Sequence, residues 1–276
     1  MRASQPAICA TFLVSMLLGS AVPTEGQLYD EALFSHPRRV RTFIGAYQER
    51  QAPLPTTVAR VGLGDGLILA EGVTEGGTEY GVGLSSGVFA EFDMEVSSFD
   101  FFVADFIVGI PVRLGRNNLS GRFRLYHQSS HFGDDIFERE DIELDYTRGY
   151  DFEAVDLYLG YQIGPVYPYV GFDYRIRGTP SFQDKTVYHA GFSGRHGRED
   201  RTGISVLAGG HVEFTNEGDG SPGFTTRAGV EFPPVSMLGP TRFIRLLLEG
   251  RWGGAGAGRF FQERRSGVGF MIEIGR

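Results

Sequence analysis

The sequence predicts an all-β fold: a closed antiparallel transmembrane β-barrel of about twelve strands. Three observations predict it. Glycine is abundant, 40 of 276 residues, and comes with Phe 23 and Tyr 12 against Trp 1 and Cys 1. Apolar and polar residues alternate along most of the chain. The alternating runs also exceed the about 5–6 residues of an ordinary soluble strand. Competing classes fall away on composition. No Gly-X-Y period is present, so the glycine is not collagen-like. Hydrophobic residues make up 41% and aromatics 13%, too many for a polar disordered chain. A net charge of -8 lacks the basic footprint of a nucleic-acid binder.

The N-terminus reads as an address. Arg2 precedes an apolar run, Ala7 to Leu18, and Gly19-Ser20-Ala21 forms a small-residue cleavage site. Residues 1–21 are thus expected to be a secretory signal peptide, too short to be a spanning helix. Cys9 would leave with it, so the mature chain would hold neither a disulfide nor a thiolate nucleophile. Residues 22–37 are expected as a periplasmic N-terminal segment and residues 38–276 as the barrel.

Strands are expected at 38–47, 55–70, 79–93, 99–113, 119–130, 151–163, 167–177, 186–194, 202–214, 223–232, 241–252 and 266–275. The run 80–93 is the clearest. Tyr80, Val82, Leu84, Val88, Ala90 and Phe92 share one face, opposite Gly81, Gly83, Ser85, Gly87, Glu91 and Asp93. Phe102, Ala104, Phe106, Val108, Ile110 and Val112 repeat it against Asp105, Gly109 and Arg113. Ile204, Val206, Ala208 and Val212 oppose Ser205, His211 and Glu213. Charges of both signs fall on the small or polar face: Asp105, Arg113, Asp156, Asp173, Arg175, Arg177, Glu213, Arg245, Glu249 and Arg251. A polar lumen accepts them better than an oily core does. If the first strand starts at the periplasm, 114–118 and Gly164-Pro165 become short inner turns, and 131–150 and 253–265 become long outer loops.

The densest polar cluster is GRFRLYHQSSHFGDD, Gly121 to Asp135. Phe123, Leu125, His127 and Ser129 share one parity, so His127 and Ser129 are expected to face lipid near the outer rim. A histidine and a hydroxyl two apart on one strand face make the base–nucleophile half of a serine hydrolase. Ser130 lies off that face. Orienting carboxylates are sought in Asp141, with Glu140 as the alternative, and in Asp134 and Asp135 nearer the turn. Parity turns Asp141 inward with Glu143 and Asp145 unless a bulge intervenes. Asp134 and Asp135 are also the candidate ligands for a metal, calcium being the ion their oxygens suit. His127 and His131 sit about 13 Å apart on a continuous strand, too far for one ion. Against catalysis stands a bland alternative. Histidine and serine are ordinary at a barrel rim, and the chain would then be a narrow channel, transporter or structural surface protein.

Three stretches carry a family resemblance: LFSHPRRVRTFIGAY (Leu33 to Tyr47), Gly87 to Asp135, and DFEAVDLYLGYQIG (Asp151 to Gly164). Together they resemble the domain-of-unknown-function 1207 family of bacterial outer-membrane proteins. That resemblance implies an outer-membrane barrel and no assigned activity. Its surroundings would be outer-membrane lipids, and its biogenesis would use the barrel assembly machinery. Monomer and dimer both stay open. A narrower resemblance joins His127-Gln128-Ser129 to the His-x-Ser strand of outer-membrane phospholipase A and of the lipid A deacylase. By that likeness His127 is the base, Ser129 the nucleophile and Asp141 the orienting residue. The substrate would be a lipid acyl ester in the outer leaflet. Asp141 differs from the Asn or Glu of those families, and Ser130-His131 stands where the phospholipase has Asn-Gly.

Overall fold

The computed structural model describes residues 33–50, 56–138, 149–179, 185–197, 203–216, 220–233, 243–253 and 265–275. The expected signal peptide lies outside them, as do Glu140 and Asp141. Twelve strands form: β1 Thr42–Arg50, β2 Thr57–Val73, β3 Glu79–Asp93, β4 Phe101–Arg116, β5 Leu119–Phe132, β6 Tyr150–Tyr161, β7 Val166–Thr179, β8 Thr186–His196, β9 Ser205–Phe214, β10 Gly223–Phe232, β11 Phe243–Trp252 and β12 Ser266–Gly275. Each pairs antiparallel with its sequence neighbours, and β12 returns to β1 to close the barrel. Closure leaves no unpaired edge, the condition for strands in hydrocarbon. Among the described residues no helix is long and apolar enough to cross a membrane.

Alternation is realised as a two-faced wall. Phe106, Val108, Ile110, Phe123, Leu125, Leu159, Val170 and Leu248 are exposed on the outside. So continuous an apolar belt would be untenable in water and suits lipid. Aromatics mark the belt's margins: Tyr188 pairs with Phe214 and Phe224 with Trp252 at the end where the odd strands finish, termed the outer end. Tyr80 and Tyr161 mark the opposite end. The longest connections, 133–149 and 253–265, lie at the outer end. A 3-10 turn, Asp134–Glu138, opens the first of them. At the inner end β2 continues to Val73 through a bulge at 68–70, so only 74–78 is left as a turn.

Inside, charge is paired. Arg60 bridges Glu49 and Glu91, Arg245 bridges Glu231 and Glu273, and Arg122 and Arg124 share Asp156. Residues 33–41, ahead of β1, lie within this lumen. Leu33 packs with Tyr158, Tyr167 and Tyr169, and Phe34 with Phe43, Leu207, Leu247 and Met271. Arg227 donates to the Phe34 carbonyl, and Arg39 pairs with Glu273. Glycines clear the way: a Cβ on Gly209 would stand 2.2 Å from Ser35 Oγ, and one on Gly269 would stand 2.1 Å from the Tyr47 ring.

One expected inward charge is wrong. Arg177 is exposed on the outside. β7 carries one residue more than β6 there, because Glu153 faces Arg177 while Ala154 faces Arg175. The bulge at Ile176 breaks the period of two and turns Arg177 to the other face.

Candidate functional site

The outward parity of β5 is as the alternation predicts. Arg122, Arg124, Tyr126, Gln128 and Ser130 are buried in the lumen, while Phe123 and Leu125 are exposed. His127 and Ser129 lie half-buried on the outer face with them. Their neighbours on β4 are Val108 and Phe106, and on β6 Glu153 and Asp151. His131, two residues further on, sets its ring edge-on to Phe106 at 5.8 Å.

The partner of His127 is Glu153. Its Oε1 lies 3.4 Å from His127 Nδ1. Arg177 grips the same carboxylate in a fork, Nε to Oε2 at 2.6 Å and Nη2 to Oε1 at 3.1 Å. A bidentate guanidinium fixes a carboxylate's plane as well as its position. A carboxylate at Nδ1 leaves Nε2 as the ring's free proton acceptor, which is the arrangement a general base needs. No hydrogen bond joins His127 to Ser129 among the described residues; a base and nucleophile often close up only around substrate.

Glu153, which directly faces His127 across the β5–β6 pair, is not among the acids the sequence suggests; Asp141 and Glu140 lie outside the described residues. The length of the connection between β5 and β6 hides that register. Asp134 and Asp135 lie on the 3-10 turn. Asp135 Oδ2 accepts the Phe101 backbone N–H at 2.7 Å, so this carboxylate ties the turn to β4. Asp134 is exposed. Among the described residues no third histidine or carboxylate gathers with them. Calcium takes about six to eight oxygens, more than these two side chains offer, and no chemistry is routed through the pair.

A second cluster went unforeseen. His36, His189 and His211, all buried in the lumen, bring ring nitrogens within 4.8 Å of one another. Alternation does turn His211 inward, but neither the β8–β9 register nor the path of residues 33–41 is written in it.

A closed barrel, apolar outside and ion-paired inside, defines an integral β-barrel protein of the outer-membrane type. Within that class the chain belongs to the family described as "Protein of unknown function (DUF1207)", which it matches over residues 2–275. Its fold is similar to that of outer membrane phospholipase A from Escherichia coli: TM-score 0.59, 12% identity, 95% of this chain and 96% of that one covered. It is also similar to the Salmonella typhi outer membrane phospholipase dimer with bound calcium: TM-score 0.60, 12% identity, 98% and 99% covered. At such identity the likeness is one of fold. No curated protein matches the chain.

Proposed function

We propose that the protein is a serine-type acyl ester hydrolase acting on outer-leaflet lipids from the outside of its own barrel. The observation that carries this is the outward row on β5 and β6: Ser129, His127 two residues away, and Glu153 at 3.4 Å from His127 Nδ1. The fold likeness to two outer-membrane phospholipases is consistent with it. Glu153 takes the role that the sequence sought in Asp141 or Glu140.

In this mechanism His127 Nε2 removes the Ser129 hydroxyl proton as Oγ attacks the ester carbonyl. The tetrahedral adduct collapses, expelling the alcohol portion of the lipid, which takes the proton from His127. Water, deprotonated by His127, then attacks the acyl-serine; the fatty acid leaves and Oγ regains its proton. Glu153 holds the imidazole in the tautomer with Nδ1 protonated, and Arg177 holds Glu153. Substrate arrives sideways through the bilayer, so no soluble pocket is needed.

A channel is the competing reading. Against it, residues 33–41 and the ion pairs of Arg122, Arg124 and Arg227 occupy the lumen at the level of Tyr158 and Leu207. Refolded protein supplied with phospholipid and lipopolysaccharide in mixed micelles should release fatty acid, and Ser129→Ala and His127→Ala should not. Release that is absent in all three proteins, or equal in all three, sinks the hydrolase.

A further inference from the structure

We propose that His36, His189 and His211 form a luminal site for a transition-metal ion of the zinc, nickel or cobalt class, and that the ion clips the N-terminal segment to the barrel wall. The site lies on the inner face, and nothing in the lipid-hydrolase reading uses it.

The strands supply two of the ligands. On β8 and β9, Gly191 directly faces His211 and His189 faces Glu213. The two histidines are therefore diagonal neighbours on the inner face, with ring centroids 5.1 Å apart. His189 Nδ1 and His211 Nε2 aim at each other across 3.2 Å. Two nitrogens on one tetrahedral zinc, each at about 2.0–2.1 Å, would be separated by about 3.3 Å. The third histidine comes from outside the wall. His36 sits on the segment 33–41, its ring 4.5 Å from that of His211 and 5.2 Å from that of His189.

The opposite ring nitrogens carry the second argument. His211 Nδ1 is 2.8 Å from Tyr169 OH. His189 Nε2 is buried without a hydrogen-bond partner, 3.6 Å from Asp173 Oδ1. A ligating imidazole characteristically donates its far N–H to a carboxylate or similar acceptor, which fixes the ring and makes the ligating nitrogen more basic. Asp173 is itself held by Tyr126 OH at 3.0 Å and Tyr158 OH at 3.2 Å. Gly191 lets Tyr169 in; a Cβ there would stand 2.5 Å from the phenol oxygen.

His36 joins at a cost. Its Nε2 is 2.6 Å from Tyr158 OH and its Nδ1 accepts the Arg38 N–H at 3.0 Å, so ligation exchanges one of these bonds for the ion. The nearby guanidiniums of Arg122 and Arg124 are countered by Asp156. Three imidazoles and no oxygen-rich cage favour zinc, nickel or cobalt over calcium or magnesium. Without an ion the same atoms would form a plain chain of hydrogen bonds, and that is the rival to be tested.

The full chain, refolded in detergent and stripped with chelator, is titrated with Zn²⁺ alone and with Co²⁺ alone. One retained equivalent per chain is expected after dialysis, with visible cobalt absorption bands of low coordination number. Unfolding midpoint should rise with Zn²⁺. The double variant His189→Gln, His211→Gln should lose the equivalent, and Tyr169→Phe should weaken it by about 10-fold. The pair His131→Ala, His196→Ala, on exposed positions, should retain it. Heat-modifiable migration on a gel checks that each variant has folded. If the double variant does not fold, His36→Ala, which lies on no strand, gives the same answer. No retained ion, or an equivalent unchanged in the folded site variants, overturns the proposal.

Discussion

Glu153 and Arg177 meet on the lipid-facing side of the barrel because β7 carries one residue more than β6 beside them. The extra residue is Ile176, and the pair closes at 2.6 Å between Arg177 Nε and Glu153 Oε2. Without the bulge Arg177 would point into the lumen, as simple alternation requires. With it, a guanidinium, a carboxylate and the His127 imidazole form a row leading to Ser129. Bulges recur where a strand has to re-aim a side chain for function.

The first prediction concerns that row. Glu153→Gln keeps the shape of the side chain and removes its charge. On the hydrolase reading kcat should fall by about 100-fold or more while KM changes little, because Glu153 positions the base and does not touch substrate. Glu153→Asp should recover part of the loss. Fatty-acid release from mixed micelles measures both. Full activity in Glu153→Gln would pass the orienting role back to Asp141 or Glu140.

A second prediction follows from the bulge. Deleting Ile176 restores a period of two through the outer end of β7 and leaves Arg177 on the outer face, opposite Glu153 as before. The barrel should still close, since the ladder up to Arg175 is untouched. Activity should be largely kept in the deletion and drop by about tenfold or more in Arg177→Ala, as the geometry of the base loosens. Comparing the two separates loss of the bulge from loss of the guanidinium: if the fork is what matters, only Arg177→Ala should lose activity.

Alternation was legible wherever the ladder is regular. The bounds of β3, β10 and β12 agree with those expected, and His127 and Ser129 face outward as their parity with Phe123 and Leu125 demands. Legibility ended at features that alternation does not encode. The Ile176 bulge changes parity without any change in composition. The register joining Glu153 to His127 is set across the long β5–β6 connection, and that joining Gly191 to His211 by the turn between β8 and β9. The entry of residues 33–41 into the lumen leaves its signature on the wall instead, in glycines such as Gly209 whose missing side chain is filled by Ser35 and Phe34.

That complementarity gives a third prediction. In Gly209→Val a Cβ would stand 2.2 Å from Ser35 Oγ and 2.7 Å from both the Phe34 ring and the Phe192 carbonyl oxygen. The backbone oxygen cannot move cheaply, so the segment gives way, at a cost of about 1–3 kcal/mol for overpacking. Protease cleavage within 33–41 should be faster than in the parent protein, with the strands intact by circular dichroism. Unchanged protection would mean that the segment is not held by this contact.

The outer belt gives a fourth. Leu248 on β11 is 64% exposed, between the buried Leu247 and Glu249. If that face meets hydrocarbon, Leu248→Arg destabilises the barrel by about 2–4 kcal/mol near the bilayer midplane. In water the same change on an exposed side chain would be close to neutral. Urea unfolding from phospholipid vesicles distinguishes the two, and a neutral result would remove the lipid from this face.

The last prediction concerns the lumen. Asp156 is fully buried and faces Asp173 directly across the β6–β7 pair. Two carboxylates so placed would repel, and each is stabilised by its own set of donors. Arg122 and Arg124 close on Asp156, at 3.2 Å and 2.6 Å, while two tyrosine hydroxyls donate to Asp173. Asp156→Ala therefore takes the shared carboxylate away from two guanidiniums in the lumen, a loss of about 3–5 kcal/mol. Replacing Asp156 together with Arg122 and Arg124 by apolar residues of similar volume should recover most of it, because no charge is then stranded. Arg122 also stacks on the Tyr158 ring at 4.9 Å, and Tyr158 OH reaches His36 at 2.6 Å. Asp156→Ala should thus loosen the N-terminal segment as well as the wall, seen as faster proteolysis of 33–41 alongside a lower unfolding midpoint. A lower midpoint with the segment still protected would show that wall and segment are held independently.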